Sequence, residues 1–137
     1  MSDFSFEVQK AIYAALTAGS PPAIAEGRVY DSPPENVAFP HVEIGEVQSI
    51  PDDTSKSNTA DDEGISEFRE LHIWSRYNGY KEAIDIGSQI HAALHGVSLT
   101  VTGRASALAW VRNKRFFRDP DGVTRHGVVS IEVIHRT

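Results

Sequence analysis

LAWVRNKRFFRDPDGVTRHGVVSIEVIHR, residues 108–136, is the stretch on which the fold turns. Its middle, Asp119-Pro120-Asp121-Gly122, is a turn in which proline pre-sets φ and glycine accepts positive φ. On either side lie two long strand-like runs, Leu108 to Arg118 and Val123 to Arg136. In the second, Val129, Ile131 and Val133 alternate with Ser130 and Glu132, the period-2 pattern of a half-buried strand. The stretch therefore predicts a β-hairpin.

Upstream, the run from Ser66 to Tyr77 puts Phe68, Glu70, His72 and Trp74 on one face and Arg69, Leu71, Ile73, Ser75 and Tyr77 on the other. Apolar residues on both faces predict a central strand. Before it, His41 to Ile50 carries Val42 and Ile44 in phase and Val47 out of phase, so Gly45 is expected in a bulge. These two strands are expected to be antiparallel. Residues 51–65 between them are expected to form a mobile acidic loop: Asp52, Asp53, Asp61, Asp62 and Glu63 are set against Lys56 alone, with too little apolar content to bury.

Two helices frame this β-rich middle. Phe4, Val8, Ile12, Ala15 and Leu16 recur at spacings of three and four, with Ser2 and Ser5 as possible N-caps and Ala18-Gly19-Ser20-Pro21-Pro22 as the stop. From Tyr80 to His95, Ala83, Ile84, Gly87, Ile90, His91 and Leu94 form a second apolar stripe. Glycine within a helix costs about 1 kcal/mol relative to alanine, so Gly87 implies close packing against the sheet. Short strands are expected near Val29 and from Val97 to Val101. The expected fold is one α+β domain over residues 1–137. Two helices pack on an antiparallel sheet of four to five strands, in the order α-β-β-α-β-β with a short strand or two besides.

A chain of 137 residues accommodates one core, and 40% hydrophobic with 23% charged residues describes a folded domain. The net charge of −6 and pI near 5.4 argue against a whole-surface grip on DNA or on an anionic membrane. With no cysteine, thiol chemistry and Cys-ligated zinc are excluded. No run approaches the ~18 apolar residues of a membrane span, and the N-terminus lacks the pattern of a secretory signal. A soluble, intracellular protein is expected.

Motifs for catalysis are missing. There is no Gly-rich phosphate loop, nucleophile elbow or dinucleotide fingerprint. His91 and His95 have a metal-compatible spacing, but Ala92-Ala93-Leu94 between them lacks the glutamate of the zinc-protease motif and no third ligand is indicated. Asp119 and Asp121 open like a calcium loop that is not continued. Neither a cofactor, a metal nor enzymatic activity is expected.

The asymmetry of charge is more informative. Arg104, Arg112, Lys114, Arg115 and Arg118 carry five positive charges with no acid from 104 to 118, interleaved with Trp110, Phe116 and Phe117. In a regular strand Arg112 and Lys114 point one way and Arg115 the other. Three readings are open: a nucleic-acid surface, a strand edge kept from aggregation by its arginines, or a subunit contact that meets the acidic loop of a neighbouring copy.

The succession of pieces then becomes recognisable. After the N-terminal helix come Gly27-Arg28-Val29-Tyr30-Asp31-Ser32-Pro33-Pro34 and Phe39-Pro40-His41-Val42-Glu43-Ile44-Gly45. Leu71-His72-Ile73-Trp74-Ser75 and the helix bearing Glu82-Ala83, Ile86 and Ile90 to Leu94 follow. The chain closes on Asp119-Pro120-Asp121-Gly122 and Arg125-His126-Gly127-Val128-Val129. In order and spacing this resembles the small tail-completion or tail-terminator proteins of long-tailed phages and of phage-derived gene transfer agents. The resemblance implies a hexameric ring on the head-proximal end of the tail tube, which ends its polymerisation, docks the head or neck, and lets DNA pass without specific binding. The tail tube protein and a head–tail connector or neck protein are the implied partners, with no membrane. The implied location is the bacterial host cytoplasm during assembly, then the tail–neck junction of the particle. A neighbouring neck ring protein and a small nucleic-acid-binding module are the alternatives.

Overall fold

A computed structural model of the chain describes residues 3–52 and 64–137. Helix α1 (Ser5–Leu16) leads through a 3-10 turn at Ile24–Gly27 into β1 (Val29–Tyr30), β2 (His41–Asp52) and β3 (Gly64–Ser75). Helix α2 (Lys81–Leu94), β4 (Val97–Ser98), β5 (Ser106–Arg118) and β6 (Arg125–Arg136) complete the chain. The strands form one mixed sheet in the order β1-β2-β3-β6-β5-β4, curled into a half-barrel.

This corrects the expected sheet of four to five antiparallel strands in the order α-β-β-α-β-β. There are six strands, and β1 runs parallel to β2, pairing Val29 with Val42 and Tyr30 with Glu43. The short strands expected near Val29 and from Val97 are β1 and β4, two residues each at the two edges, and are too short for a period to give their direction or place. Ala25 and Glu26 enter β1 through left-handed backbone at φ 48° and 54°, which no side-chain pattern announces.

The long elements follow the residue patterns. β3 lies between β2 and β6, antiparallel to both. The β2–β3 register shifts between Ile44 and Val47, the bulge anticipated at Gly45. A Cβ on Gly45 would stand 2.8 Å from Cδ2 of His72, so the close approach itself requires glycine. In the β5–β6 turn the Gly122 amide donates to the Asp119 carbonyl at 2.9 Å, with Gly122 at φ 75°. Asp121 accepts from the amides of Val123 and Thr124 and from the Thr124 hydroxyl. These bonds, the hydroxyl's foremost, hold its carboxyl down at about 2.

Both helices cover one face of the sheet. Val8, Ile12 and Leu16 of α1 and Ala83, Ile86, Ile90 and Leu94 of α2 meet Val42, Ile44, Leu71, Ile73, Ala109, Val129, Ile131 and Val133. The α2 stripe is rotated from the expected one: Ile86 is buried and Ile84 is 45% exposed. At α1, Ser5 is the first helical residue and Phe4 the N-cap, while Asp3 accepts from the Ser5 amide. Ser5 is thus no cap.

The half-buried Phe116 ring fills a slot cut by two glycines. A Cβ on Gly87 would lie 2.7 Å from the ring, and one on Gly127 would lie 2.9 Å from it and 3.2 Å from Ile73. The helix-to-sheet contact inferred at Gly87 is therefore real. With both sides closed the ring has no retreat, so Gly127→Val is expected to lower stability by about 2–3 kcal/mol through overpacking, measured by urea denaturation. Gly87→Ala would gain up to ~1 kcal/mol of helix propensity, and the clash is expected to outweigh it.

Candidate assembly interface

The face of the sheet turned away from the helices carries one ladder of rings. His41, Trp74, His126 and Phe117 are register partners across β2, β3, β6 and β5. Trp74 stacks on His126 at 3.9 Å between centroids with 14° between planes, Phe117 lies 4.7 Å from His126, and His41 lies 6.5 Å from Trp74. Phe39 extends the row at 4.9 Å from His41, under the Arg76 guanidinium at 4.0 Å. Such cross-strand pairs stiffen a sheet by about 0.5–1.5 kcal/mol each. The next row sets His72 Nδ1 2.9 Å from His126 Nε2, with Glu43 and Arg115 in the same register.

Burial, and next the neighbouring His72, hold the His126 imidazole below its usual pKa, while Asp119 opposes and Arg115 assists. Burial likewise lowers His41, against an opposing backbone bond at Ala38 and the charge of Glu43. A histidine whose folded pKa is depressed contributes stability that is complete above the unfolded value of about 6.5 and is lost as pH falls through the folded value. The thermal midpoint is therefore expected to fall between about pH 7 and 5, with a shallower slope in His126→Gln.

The basic residues do not act as one strip. β5 is bulged between Val111 and Asn113, so Arg112 is the extra residue and the phase changes there. Arg112 lies on the ladder face, 2.8 Å from Glu132 and over Trp110, rather than beside Lys114 as a regular strand would place it. Arg115 shares that face, 4.0 Å from Glu70 and over Phe117. Lys114, the register partner of Val129, stands with Phe116 on the helix side. Arg118 ends the strand, exposed, opposite Arg125. Arg104 is drawn away into a turn, where its Nε donates to His135 Nδ1 at 2.9 Å. Asp52 ends β2, and its pairing with Gly64 and that of Pro51 with Ile65 are strand pairing. Asp53, Asp61, Asp62 and Glu63 lie outside the described residues.

Arg112 and Arg115 flank an open depression of about 450 Å³ floored by Phe68 and Ser130 and holding Glu70. Positive and negative groups alternate there, which suits another polypeptide better than a uniformly anionic ligand.

Beneath the opposite face lies a charged cluster that the sequence reading overlooked. Glu67, Arg69 and His135 are 1%, 3% and 0% exposed. Ser5 and Ser49 hydroxyls donate to Glu67 Oε1 at 3.0 and 3.1 Å, and His135 Nε2 stands 3.6 Å from the same oxygen, a contact longer than a hydrogen bond. Arg104 donates to Nδ1, so the ring proton of a neutral His135 is on Nε2, facing the carboxylate. Arg69 donates to Gln9 Oε1 and to the Ser5 carbonyl, tying α1 to the sheet. Burial alone would push Glu67 up, but the facing His135 imidazole and the hydrogen bonds from Ser5 and Ser49 overcome it and hold the carboxyl below its usual range. The serines point at the carboxylate and not at the imidazole, the reverse of an activated nucleophile.

At the end of α2, His91 and His95 stack at 4.5 Å, and His95 Nδ1 accepts the Val111 amide, which occupies that nitrogen's lone pair. Among the described residues no three His, Cys, Asp or Glu side chains gather as a metal site would require.

Comparison with known proteins agrees with this surface-dominated chemistry. A chain in the virion of a native gene transfer agent particle shares the fold, with a TM-score of 0.82 over 100% of both chains at 17% sequence identity. The tail completion protein gp17 of Bacillus phage SPP1 is 28% identical over 124 residues, covering 90% of this chain and 88% of that one. The family described as Tail completion protein gp17 matches residues 10–136, from the second turn of α1 to the end of β6. The chain therefore belongs to the tail completion protein gp17 family, a family of structural phage-tail proteins.

Proposed function

We propose that this protein is the tail terminator of its particle. Six copies form a ring on the head-proximal end of the tail tube, stop its polymerisation and present the docking surface for the neck, with DNA passing through the ring. The observation that carries this reading is the family match across nearly the whole chain. The charge layout supports it. The acidic segment of Asp52, Asp53, Asp61, Asp62 and Glu63 and the basic residues Arg112, Lys114, Arg115 and Arg118 are two unlike patches, which a head-to-tail ring contact needs. Arg104, engaged with His135, contributes least to that contact. A chain of net charge −6 repels DNA phosphates and leaves the polymer free to slide.

The nucleic-acid module is disfavoured because Arg112 and Arg115 already hold Glu132 and Glu70. A neighbouring neck ring is separated from a terminator by phenotype. Particles assembled without this subunit are expected to yield tails of abnormal length, counted by electron microscopy, whereas loss of a neck ring would leave tails of normal length unjoined to heads. Tails of normal length joined to heads would overturn the proposal.

A further inference from the structure

The sheet ends in two edges that are left largely open among the described residues. β1 covers only Val42 and Glu43 of β2, and β4 only Leu108 and Ala109 of β5. Among the described residues no strand pairs the outer side of β2 from Glu46 to Asp52 or of β5 from Arg112 to Arg118. On β5 the carbonyls of Ala107 and Ala109 and the amide of Val111 point outward, since they bond Leu99, Gly96 and His95. Carried past the bulge, antiparallel alternation points the backbone of Lys114, Phe116 and Arg118 outward too. Unpaired edges of this length invite another strand.

The two edges have opposite sign. The open stretch of β2 carries Glu46 and Asp52 with no Lys or Arg, and that of β5 carries Arg112, Lys114, Arg115 and Arg118 with no acid. Arg112 and Arg115 remain 48% and 59% exposed despite their partners in the chain. Val47 and Ile50, each 44% exposed, add apolar surface to the β2 edge. We infer that the free edge of β2 in one copy pairs, antiparallel, with the free edge of β5 in the next, so that the sheet continues from subunit to subunit. This deepens the ring reading and rests on it.

Direction and stagger both fit. β2 runs antiparallel to β5 within the chain, so rotation about a ring axis sets β2 of one copy antiparallel to β5 of its neighbour. Ser49, mid-edge on β2, is level with Glu67, Val133 and Ala109, and Arg115, mid-edge on β5, pairs with Val128, five register steps further along β6. That stagger is ~17 Å along the strands against ~19 Å across the four long strands of one copy. Joined this way, the strands incline by about 40°, within the tilt at which sheets close on themselves.

The chain has no cysteine, so engineered pairs report cleanly. Gln48 and Asn113, Arg115 and Phe117 share the ladder face through their partners Phe68, Ser130, Val128 and His126, and Lys114 lies on the other. Gln48→Cys is combined in turn with Asn113→Cys, Arg115→Cys or Phe117→Cys, assembled onto the tail under reducing conditions, and then oxidised. One of the three is expected to give an intermolecular ladder at least about tenfold stronger than Gln48→Cys with Lys114→Cys, because facing residues in antiparallel strands meet the Cα spacing of a disulfide. As a second variant, Lys114→Pro removes an outward amide from an edge strand. It is expected to abolish the ring and leave the isolated subunit folded by circular dichroism. Normal tails bearing the subunit with no cross-link, or with equal cross-linking in the Lys114→Cys control, would overturn the edge pairing and leave the terminator reading standing. Absence of the unmodified subunit from tails would overturn both.

Discussion

Replacement of Glu67 by alanine is expected to lower the stability of the folded subunit by about 3–5 kcal/mol, the effect of removing one member of a buried charge cluster. The carboxylate accepts the Ser5 and Ser49 hydroxyls and faces His135. Without it Arg69, 3% exposed, keeps hydrogen bonds to the neutral Gln9 and Ser5 carbonyl and the more distant charge of Asp3. For a domain whose total stability is of order 5–15 kcal/mol this is a large share. The midpoint is expected to drop by roughly 10–20 °C, read by calorimetry. Glu67→Gln keeps acceptors for both serines and is expected to cost less. Joint replacement, Glu67→Leu with Arg69→Met, is expected to recover much of the loss, since apolar groups of similar volume often replace a buried ion pair without penalty. The sign with pH follows from the depressed folded pKa: the carboxylate's contribution is present above the unfolded range and lost as pH falls through the folded value. That window lies below the one set by His41 and His126. A loss under ~1 kcal/mol in Glu67→Ala, the level of a surface pair, would contradict this account of the cluster.

Reversal of charge along β5 is expected to act on assembly instead. With Arg112, Lys114 and Arg115 all changed to glutamate, the subunit should stay folded. The ion pairs with Glu132 and Glu70 involve arginines 48% and 59% exposed, and such pairs contribute at most about 1 kcal/mol each. Like charges across a subunit contact cost several kcal/mol. Completed particles should therefore fall by roughly 100-fold or more, with unjoined heads or tails of abnormal length accumulating. If the basic residues instead served nucleic acid, the same variant would lose a salt-sensitive DNA shift while its oligomer and its particles stayed intact. Normal particles would refute the role given to β5.

The parts of the fold visible in the sequence are those in which a local pattern and the tertiary environment agree. The 119–122 turn, the central position of β3, the bulge at Gly45 and the tight packing of Gly87 all follow from residue types whose physical options are few. Features decided by distant partners were hidden. Short strands are expected near Val29 and Val97, but their edge places beside β2 and β5 and the parallel pairing of β1 follow from what those strands offer for bonding, and two residues carry no periodicity. Ile86 displaces Ile84 because helix rotation is set by what the sheet presents. The bulge at Arg112 has no glycine to announce it, and it moves Arg112 to the opposite face from Lys114. Glu67 and Arg69 were overlooked because charged residues are almost never buried unless paired. Yet both share parity with Leu71 and Ile73, and that parity was the available signal. The ring ladder could not be seen at all, since it depends on the register of four strands.

The central claim is one of place, and the most direct test is an image reconstruction of the intact particle at a resolution that traces this chain. The account predicts six copies in one ring between the last layer of the tail tube and the neck, with β2 of each copy beside β5 of the next. Density for the chain in a neck ring on the head side, or anywhere away from the end of the tail tube, would contradict it.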